Sequence, residues 1–583
     1  MTHSRFETLS NTGGTGKSYY FKNPVRVIEL KSPALSDSFF GEVEKLSEKY
    51  YVAGFISYEF GYALENCFGG MPRAGFPLAL FAVYKKAEIR DVDPIRLYGK
   101  KEFRIKNLKL NVSKREYLSS VRKIKKLIRA GDIYQADYTM KYKFGFEGSA
   151  QGFYEDLREK QKTPYAAYLD FGGIKIISLS PELFFSKKGR NITVKPMKGT
   201  ARRGVDDESD RAQAEFLFND EKNRSENLMI TDLLRNDLGR IAVPGTVMVK
   251  KLFEVEKYGT LFQMTSTVNA GIRGGVSFYD IIRNIFPSGS VTGAPKIRSM
   301  EILRELETEK RNVYTGAVGF LAPGGKAVFN VPIRTVLLRG GSGEMGVGSG
   351  VVYDSKPLEE YAECVLKADF LTKERKNFCL IESLLFDGKL KNLSAHLDRM
   401  RRSAAYFGFY FNDKKIRGVL SGKICKLPHG RRKIRVLLSE NGNVSVTAGR
   451  AFAPRALKLL FCGRKVDSSN RFLYHKTTER ALFDTELAAA RKKGFFDLVF
   501  VNEKGLVTEG AVTNVYVEKK GCIYTPPASC GLLKGTIRQK LLADGKAREK
   551  NLCPGDLKNA DAVYVSNAVV GFRKALLVSH VKT

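Results

Sequence analysis

The sequence predicts an α+β protein of two domains. The chain has 583 residues, too many for a single hydrophobic core. Its apolar content, 43%, is that of a soluble globular protein, and no apolar run approaches the roughly 20 residues that span a bilayer. Segments of period-2 alternation are interleaved with segments of helical period, a layered α/β pattern. The pattern breaks at the charged stretch Lys373-Glu-Arg-Lys-Asn377 and then starts again. Domains are therefore expected over 1–374 and 375–583.

The first hundred residues read as short strands and turns, such as Tyr51-Val-Ala-Gly-Phe-Ile-Ser-Tyr58. Gly13-Gly-Thr-Gly-Lys-Ser18 has half the pattern of a phosphate loop, but Asn11 stands where glycine is needed and no apolar strand precedes it, so we read a plain loop. Ser113-Lys-Arg-Glu116 is a capping box that opens a helix. Its buried stripe is Tyr117, Val121, Ile124, Leu127 and Ile128, and Gly131 ends it. Tyr134, Ala136, Tyr138, Met140, Tyr142 and Phe144 then alternate, which predicts a strand with one buried face. Further strands are expected near 166–171, 174–179, 247–254, 314–321, 327–338 and 344–352, with helices near 206–238, 277–285, 295–308 and 357–373. After the break come a strand, a charged turn, a helix near 393–408, and then strands and hairpins.

The formal net charge is +36. The cations lie in short runs such as Arg122–Lys126 and Arg431–Lys433, with no nucleic-acid-binding motif among them. We read a field that favours anionic substrates, and no nucleic acid or membrane partner. Eight cysteines without a CxxC spacing suit a reducing cytoplasm and argue against structural zinc. The opening MTHSRFETLSNTGG has no apolar signal core, and a cytoplasmic location is expected. No histidine lies between His3 and His396, so first-domain chemistry must use carboxylates, lysine, metal or water.

Several first-domain stretches carry chemistry. Lys195-Pro-Met-Lys-Gly-Thr-Ala-Arg-Arg-Gly204 sets Lys198 beside a Gly-Thr turn and two arginines. A lysine near other cations and out of water loses its proton more readily and can become a nucleophile; at the surface it is only a charge. Glu226 on one helix, and Glu359, Glu360 and Glu363 on another, are carboxylates without histidine, a set that suits magnesium or plain solvation. Lys367 lies one turn beyond Glu363. Phe286-Pro-Ser-Gly-Ser-Val-Thr-Gly-Ala-Pro-Lys296, which contains Thr292 and Gly293, leads into a helix, and its free N–H groups can hold an anion or merely cap. Arg334 can grip a carboxylate with its two-pronged guanidinium. Gly346-Val-Gly-Ser-Gly350 lets a strand pass close to a ligand, or marks a bulge.

The words GDIYQADYT (131–139), SPELF (180–184), KPMKGTARRG (195–204), ENLMITDLLRNDLGR (226–240), FPSGSVTGAPK (286–296), IRT (333–335) and GVGSGVVYDSKPLEEYAE (346–363), in this order, resemble the chorismate-utilising enzymes. That family includes anthranilate synthase, isochorismate synthase and aminodeoxychorismate synthase component I. The resemblance is strong over 110–372 and implies layered β-sheets flanked by helices. Anthranilate synthases look like PxAGT where this chain has Lys198, and isochorismate-type enzymes carry a water-activating lysine where it has Gln135. Lys198 matches the aminodeoxychorismate synthases. The chemistry so implied is attack of Lys198 on ring C2 of chorismate, with Glu182 as general acid for the departing C4 hydroxyl. Ammonia then adds at C4 and expels the lysine. Glu226 and Glu363 match magnesium ligands. Arg334, Gly348, Gly350, Thr292, Gly293 and Lys367 match the substrate-binding positions. Ammonia is implied to come from a separate glutamine amidotransferase subunit, since no Cys/His glutaminase pair is visible. Gln263 departs from the histidine of many relatives, and glutamine cannot shuttle a proton near neutral pH.

In the second half, Phe472-Leu-Tyr-His-Lys-Thr-Thr-Glu-Arg480, Glu509 and Gly531-Leu-Leu-Lys-Gly-Thr-Ile-Arg538 supply a lysine, a carboxylate and a Gly-Thr helix start, the parts a pyridoxal phosphate site needs. With His396-Leu-Asp-Arg399 they resemble the fold-type IV pyridoxal phosphate enzymes: branched-chain and D-amino-acid aminotransferases and aminodeoxychorismate lyase. The match runs over 378–575. It implies Lys476 as the Schiff-base lysine, Glu509 as partner of the ring nitrogen, and Arg399, Thr536 and Ile537 as phosphate ligands. It is compatible with a homodimer through this domain. Fusion to the first domain favours a lyase, and the combined expectation is 4-aminobenzoate synthesis. The alternative is an anthranilate synthase joined to an aminotransferase-like domain, which Lys198 argues against.

Overall fold

Among the described residues, the alternating strands of the first half assemble into two ten-stranded sheets. The computed structural model describes residues 3–9, 16–68, 75–91, 102–259, 261–372, 374, 376–451 and 455–578, so the Gly13-Gly-Thr segment lies outside them. The chain divides into two compact units, residues 1–202 with 214–375, and residues 376–583 with 203–213. No helix among the described residues is long and apolar enough to cross a membrane.

In the first unit, the strands that bear on the site are, in chain order, β1 (Gln135–Gly148), β2 (Ile174–Ser180), β3 (Leu183–Lys188), β4 (Met197–Arg202), β5 (Leu261–Gly271), β6 (Lys326–Asn330), β7 (Thr335–Arg339) and β8 (Ser342–Val351). One sheet contains β1-β8-β7-β2 as neighbours; the other runs from β4 and β5 towards β3 and β6. Phe6, Phe21, Ile176 and Leu337 of the first sheet pack on Phe55, Leu183, Phe320 and Val328 of the second, which makes a sandwich. Helix α1 (Lys114–Arg129) buries Tyr117, Val121 and Ile124 against the outer face of the first sheet. Its capping box forms as expected: Ser113 Oγ accepts from Glu116 N at 3.3 Å, and Ser113 N donates to Glu116 at 2.8 Å. Helix α2 (Glu221–Gly239) buries Ile230, Leu234 and Leu238 against the other sheet. Helices α3 (Lys296–Leu306) and α4 (Pro357–Lys367) complete the frame of the site.

Three elements differ from expectation. The helix expected over 206–238 is two, because Asp220 caps α2 by accepting from Asn223 N at 2.9 Å. The strand expected over 327–338 is β6 and β7, separated by Val331-Pro-Ile-Arg334, where proline cannot donate to a ladder and Arg334 has φ +51. The strand with one buried face, β1, is buried on both as far as Tyr142, while Tyr134 just before it is exposed. Its apolar side chains meet α1, and the other set, Gln135, Asp137, Thr139 and Lys141, is buried inside the unit.

The second unit has, among its described residues, a four-stranded and an eight-stranded sheet. The smaller contains β9 (Leu380–Asp387), β10 (Arg432–Leu438) and β11 (Val444–Arg450), covered by α5 (Leu393–Phe407) through Leu397, Met400 and Ala404. The larger contains β12 (Asp497–Asn502), β13 (Val507–Gly510) and β14 (Asn514–Lys519). Helices α6 (Ala481–Lys492) and α7 (Thr536–Ala543) belong to this lobe.

Candidate active sites

In the first unit, the pairing of β4 with β5 slips between Met197 and Thr200, so Lys198 and Gly199 sit in the irregularity. Gly199 has φ +99, a conformation that favours glycine, and a bulge of this kind re-aims the neighbouring side chain. The Lys198 carbonyl is held by Asn227 of α2 at 3.1 Å. Its ammonium donates to Asp137 Oδ1 of β1 at 3.2 Å, and both side chains are largely buried. Asp137 faces Gly350 in the β1–β8 register. A Cβ at Gly350 would lie 2.7 Å from both Asp137 Oδ1 and Lys198 Nζ, and 3.1 Å from Gln135 Nε2. The missing side chain therefore keeps open the space in front of the amine. Gln135 Oε1 is buried beside it with no partner among the described residues.

Glu182 lies between β2 and β3, buried, and accepts from Ser290 Oγ at 2.5 Å. Burial pushes its carboxyl up to about 7; Ser290 and Lys198 oppose the shift and Asp137 adds to it. Glu182 thus holds a proton close to neutral pH, as a general acid must. Ser290 comes from the Gly/Ser loop expected to expose free N–H groups. That loop is tied down: Gly293 and Ala294 pair with β1, Thr292 accepts from Asp137 N at 2.9 Å, and the Thr292 hydroxyl donates to Ser288 O at 3.2 Å.

The glycine run of β8 divides by function. Cβ atoms at Gly346 and Gly348 would strike the Tyr314 ring and the β1 backbone, so these two serve close packing. The Gly348 carbonyl accepts from Lys367 of α4 at 2.9 Å. Arg334 is held weakly by Gln161 at 3.5 Å, and burial pulls its pKa down. Its contact is with an amide, and no carboxylate partner lies beside it among the described residues, which suits a cation kept for an anionic group. Gln263 donates to Thr200 Oγ1 at 3.2 Å, one strand from Lys198.

Glu226 of α2 is pushed up by burial, with Lys198 and Lys222 opposing; Glu363 of α4 is pulled down by Lys367, its partner at 2.7 Å, and also feels Lys198 and Lys222. The two carboxylates therefore share one electrostatic neighbourhood. No group of three or more His, Cys, Asp or Glu ligands forms among the described residues. Two carboxylates without nitrogen or sulfur fit magnesium, which keeps several waters and takes its remaining ligands from substrate.

In the second unit, Lys476 lines a cavity of about 830 Å³ together with Glu509, Arg399, His396, Thr536 and Ile537. Burial, then Arg399, pulls the Lys476 pKa down to about 8. Burial pushes Glu509 up to about 8, although Leu533 N donates to it at 3.1 Å and Asn514 Nδ2 at 3.1 Å. The N-terminus of α7 opens into the cavity at Thr536, capped by Gly535, whose Cβ would lie 2.0 Å from Asn514 Oδ1. Arg399 is gripped by Glu382 through two contacts of 2.8 and 2.7 Å and donates to Lys534 O at 3.2 Å. His396 bonds the same Glu382 at 2.6 Å through Nδ1, and its buried Nε2 has no partner among the described residues. A buried low-pKa lysine, a buried carboxyl, a helix N-terminus and a free imidazole nitrogen at one cavity fit the amine-binding, ring and phosphate groups of pyridoxal phosphate.

All the expected first-domain residues lie in the first unit and all the second-domain ones in the second. Sequence reasoning missed Asp137, Ser290, Gln135 as an unpartnered acceptor, and Glu382. Asp137, Ser290 and Gln135 lay inside motifs already noticed, and Glu382 lay outside them. The signal for Asp137 was available: Gln135, Asp137, Thr139 and Lys141 form a polar alternate face between apolar ones, too polar for ordinary packing.

Residues 8–373 match the family described as chorismate binding enzyme, and residues 380–577 match amino-transferase class IV. Aminodeoxychorismate synthase component 1 of Bacillus subtilis (strain 168) is 40% identical over 252 residues, 43% of this chain and 54% of that protein. Anthranilate synthase component 1 of Aquifex aeolicus (strain VF5) is 38% identical over 273 residues, 47% of this chain and 55% of that protein. The chain thus spans about half the length of the curated relatives it matches. The solved anthranilate synthase component I of Streptococcus pneumoniae TIGR4 superposes with a TM-score of 0.54 at 27% identity, covering 62% of this chain and 94% of that one.

Proposed function

Since this chain belongs to the chorismate binding enzyme family, we propose that its first unit aminates chorismate to 4-amino-4-deoxychorismate. We propose further that the second unit eliminates pyruvate from that product to leave 4-aminobenzoate. The observation that carries the reading is the Lys198 amine, facing the gap left by Gly350, with Glu182 held near neutrality in the same site.

Lys198 passes its proton to Asp137 and its lone pair forms a bond to ring C2. The ring double bond shifts, the C4–O bond breaks, and Glu182 gives its proton so that water leaves. Ammonia then adds at C4, and the Lys198–C2 bond breaks to return a free amine. Glu226 and Glu363 would hold magnesium, which when bound neutralises the ring carboxylate; Arg334 takes the other carboxylate. Ammonia is supplied by a separate glutaminase subunit. In the second unit, pyridoxal phosphate, when bound, supplies an electron sink at the carbon bearing the amine. Arg399 and the α7 N-terminus hold its phosphate, Glu509 its ring nitrogen, and Lys476 moves the proton.

Incubation of the purified protein with chorismate, ammonium, magnesium and pyridoxal phosphate should yield 4-aminobenzoate and pyruvate by chromatography. Anthranilate, or no aromatic amine, overturns the reading; anthranilate synthases are prominent among the relatives, so this outcome is a real competitor. Glu182 adds a pH test. Its raised carboxyl is protonated below about 7 and ionised above it, so the amination rate should fall as pH rises through that value. Glu182→Gln should slow adduct formation by about 10²–10⁴-fold and erase that limb. A basic limb that survives in the variant assigns the titration to another group.

A further inference from the structure

We propose that Arg311 is a positioning residue for the first-unit reaction, holding the Asp137 and Ser290 arms of that site on one buried guanidinium. This rests on the reading of Lys198 and Glu182 as the groups that exchange protons there. Arg311 follows α3 and is 1% exposed. All five of its N–H groups meet acceptors. Nε and Nη2 donate to Glu307 at 2.9 and 2.7 Å, Nη1 to Val291 O at 2.8 Å and Thr315 Oγ1 at 3.2 Å, and Nη2 to Asp137 O at 2.6 Å. The guanidinium also stands over the Tyr58 ring, 4.2 Å from its centroid. Its own backbone is anchored, since Arg311 N and Asn312 N donate to the buried Glu59 at 2.7 and 3.0 Å.

Two of these acceptors belong to the site. Asp137 is the residue whose carboxylate meets Lys198, and Val291 follows Ser290, whose hydroxyl meets Glu182. One rigid fork thus ties β1 to the loop before α3. Glu307 extends the tie along β1, accepting from Thr139 N at 3.0 Å and Thr139 Oγ1 at 2.8 Å. Stability alone does not call for a buried ion pair here, because apolar residues of similar volume serve it as well or better. What the pair adds is a fixed spacing between the carboxylate facing Lys198 and the hydroxyl facing Glu182. A lysine could not supply it, since its donors share one nitrogen and cannot span the fork. The charged and hydrogen-bonding groups facing Glu182 are Ser290, Lys198 and Asp137, and Ser290 opposes the rise that burial causes. A loosened loop weakens that contact, so Glu182 holds its proton to higher pH.

The test uses the full chain with chorismate, ammonium and magnesium, over a range of pH, in wild type, Arg311→Lys, Ser290→Ala and the double variant. Arg311→Lys should lower kcat for amination at least about tenfold and leave KM for chorismate within about threefold. Its alkaline limb should move to higher pH, as in Ser290→Ala, and the double variant should move it no further than the larger single shift. If Arg311→Lys does not fold, Arg311→Met/Glu307→Leu, which keeps the volume without the charges, carries the same expectation. A folded variant with wild-type kcat and limb overturns the inference and leaves the amination reading standing. Limb shifts that add in the double variant also overturn it, because Arg311 and Ser290 then act separately. If wild-type protein does not aminate chorismate, both readings fall together.

Discussion

Lys198→Ala abolishes formation of 4-amino-4-deoxychorismate, with a loss of at least about 10³-fold, because it removes the amine that the proposed covalent route uses. Alanine also strips Asp137 of its cation, and a buried carboxylate left with only the weak Gln135 contact destabilises its surroundings. Lys198→Arg separates the two effects, since it keeps a cation against Asp137 while its guanidinium stays protonated and cannot attack. Both variants should be inactive, and the arginine variant should melt closer to wild type. The covalent step has its own readout. Wild-type protein given chorismate and magnesium without ammonia should gain the mass of one chorismate less one water, on the peptide that contains Lys198. An unchanged rate in either variant overturns the nucleophilic role.

Lys476→Ala removes the visible absorbance that pyridoxal phosphate acquires on joining a lysine, and stops 4-aminobenzoate and pyruvate release. The loss should again be at least about 10³-fold. Amination is untouched, so 4-amino-4-deoxychorismate accumulates in the medium and is converted by adding the Lys198→Ala protein. That complementation requires the two variants to be defective in different units. The pKa of about 8 gives the reason for the lysine's competence: roughly a tenth of it is neutral at pH 7, against about one part in three thousand for an ordinary lysine. Failure of the mixed variants to restore 4-aminobenzoate would mean that one residue serves both reactions or neither.

The fold class and the approximate places of most expected strands and helices were legible in the sequence, because hydrophobic period reports which face of an element is covered. Chemistry was legible where a motif was compact, as in Lys198 with Gly199, or Lys476 before its turn. It was not legible where the partner came from the other sheet. Asp137 lies 61 positions before Lys198, and nothing local says that β1 and β4 bring them to 3.2 Å. The double burial of β1 was missed for the same reason: the alternating pattern identifies a strand, while a polar face hidden inside a site looks like one that meets water. The Ser290–Glu182 contact was not legible for the same reason, since the two residues lie 108 positions apart and only the fold brings the hydroxyl to the carboxyl.

Gly350 has a consequence for how such a protein changes its reaction. An amide on Gln135, a carboxylate on Asp137 and an amine on Lys198 all border the volume of one absent carbon. Two of them come from β1, where ladders hold the backbone, and the third from the irregular stretch of β4 in the other sheet, where Asn227 holds the Lys198 carbonyl. Exchanging any one of the three would change which atom borders that space and also which charges are matched within it. A change at Lys198 therefore alters the chemistry of the site and the charge balance around Asp137 together, so a variant with a new product also needs a new partner for that carboxylate.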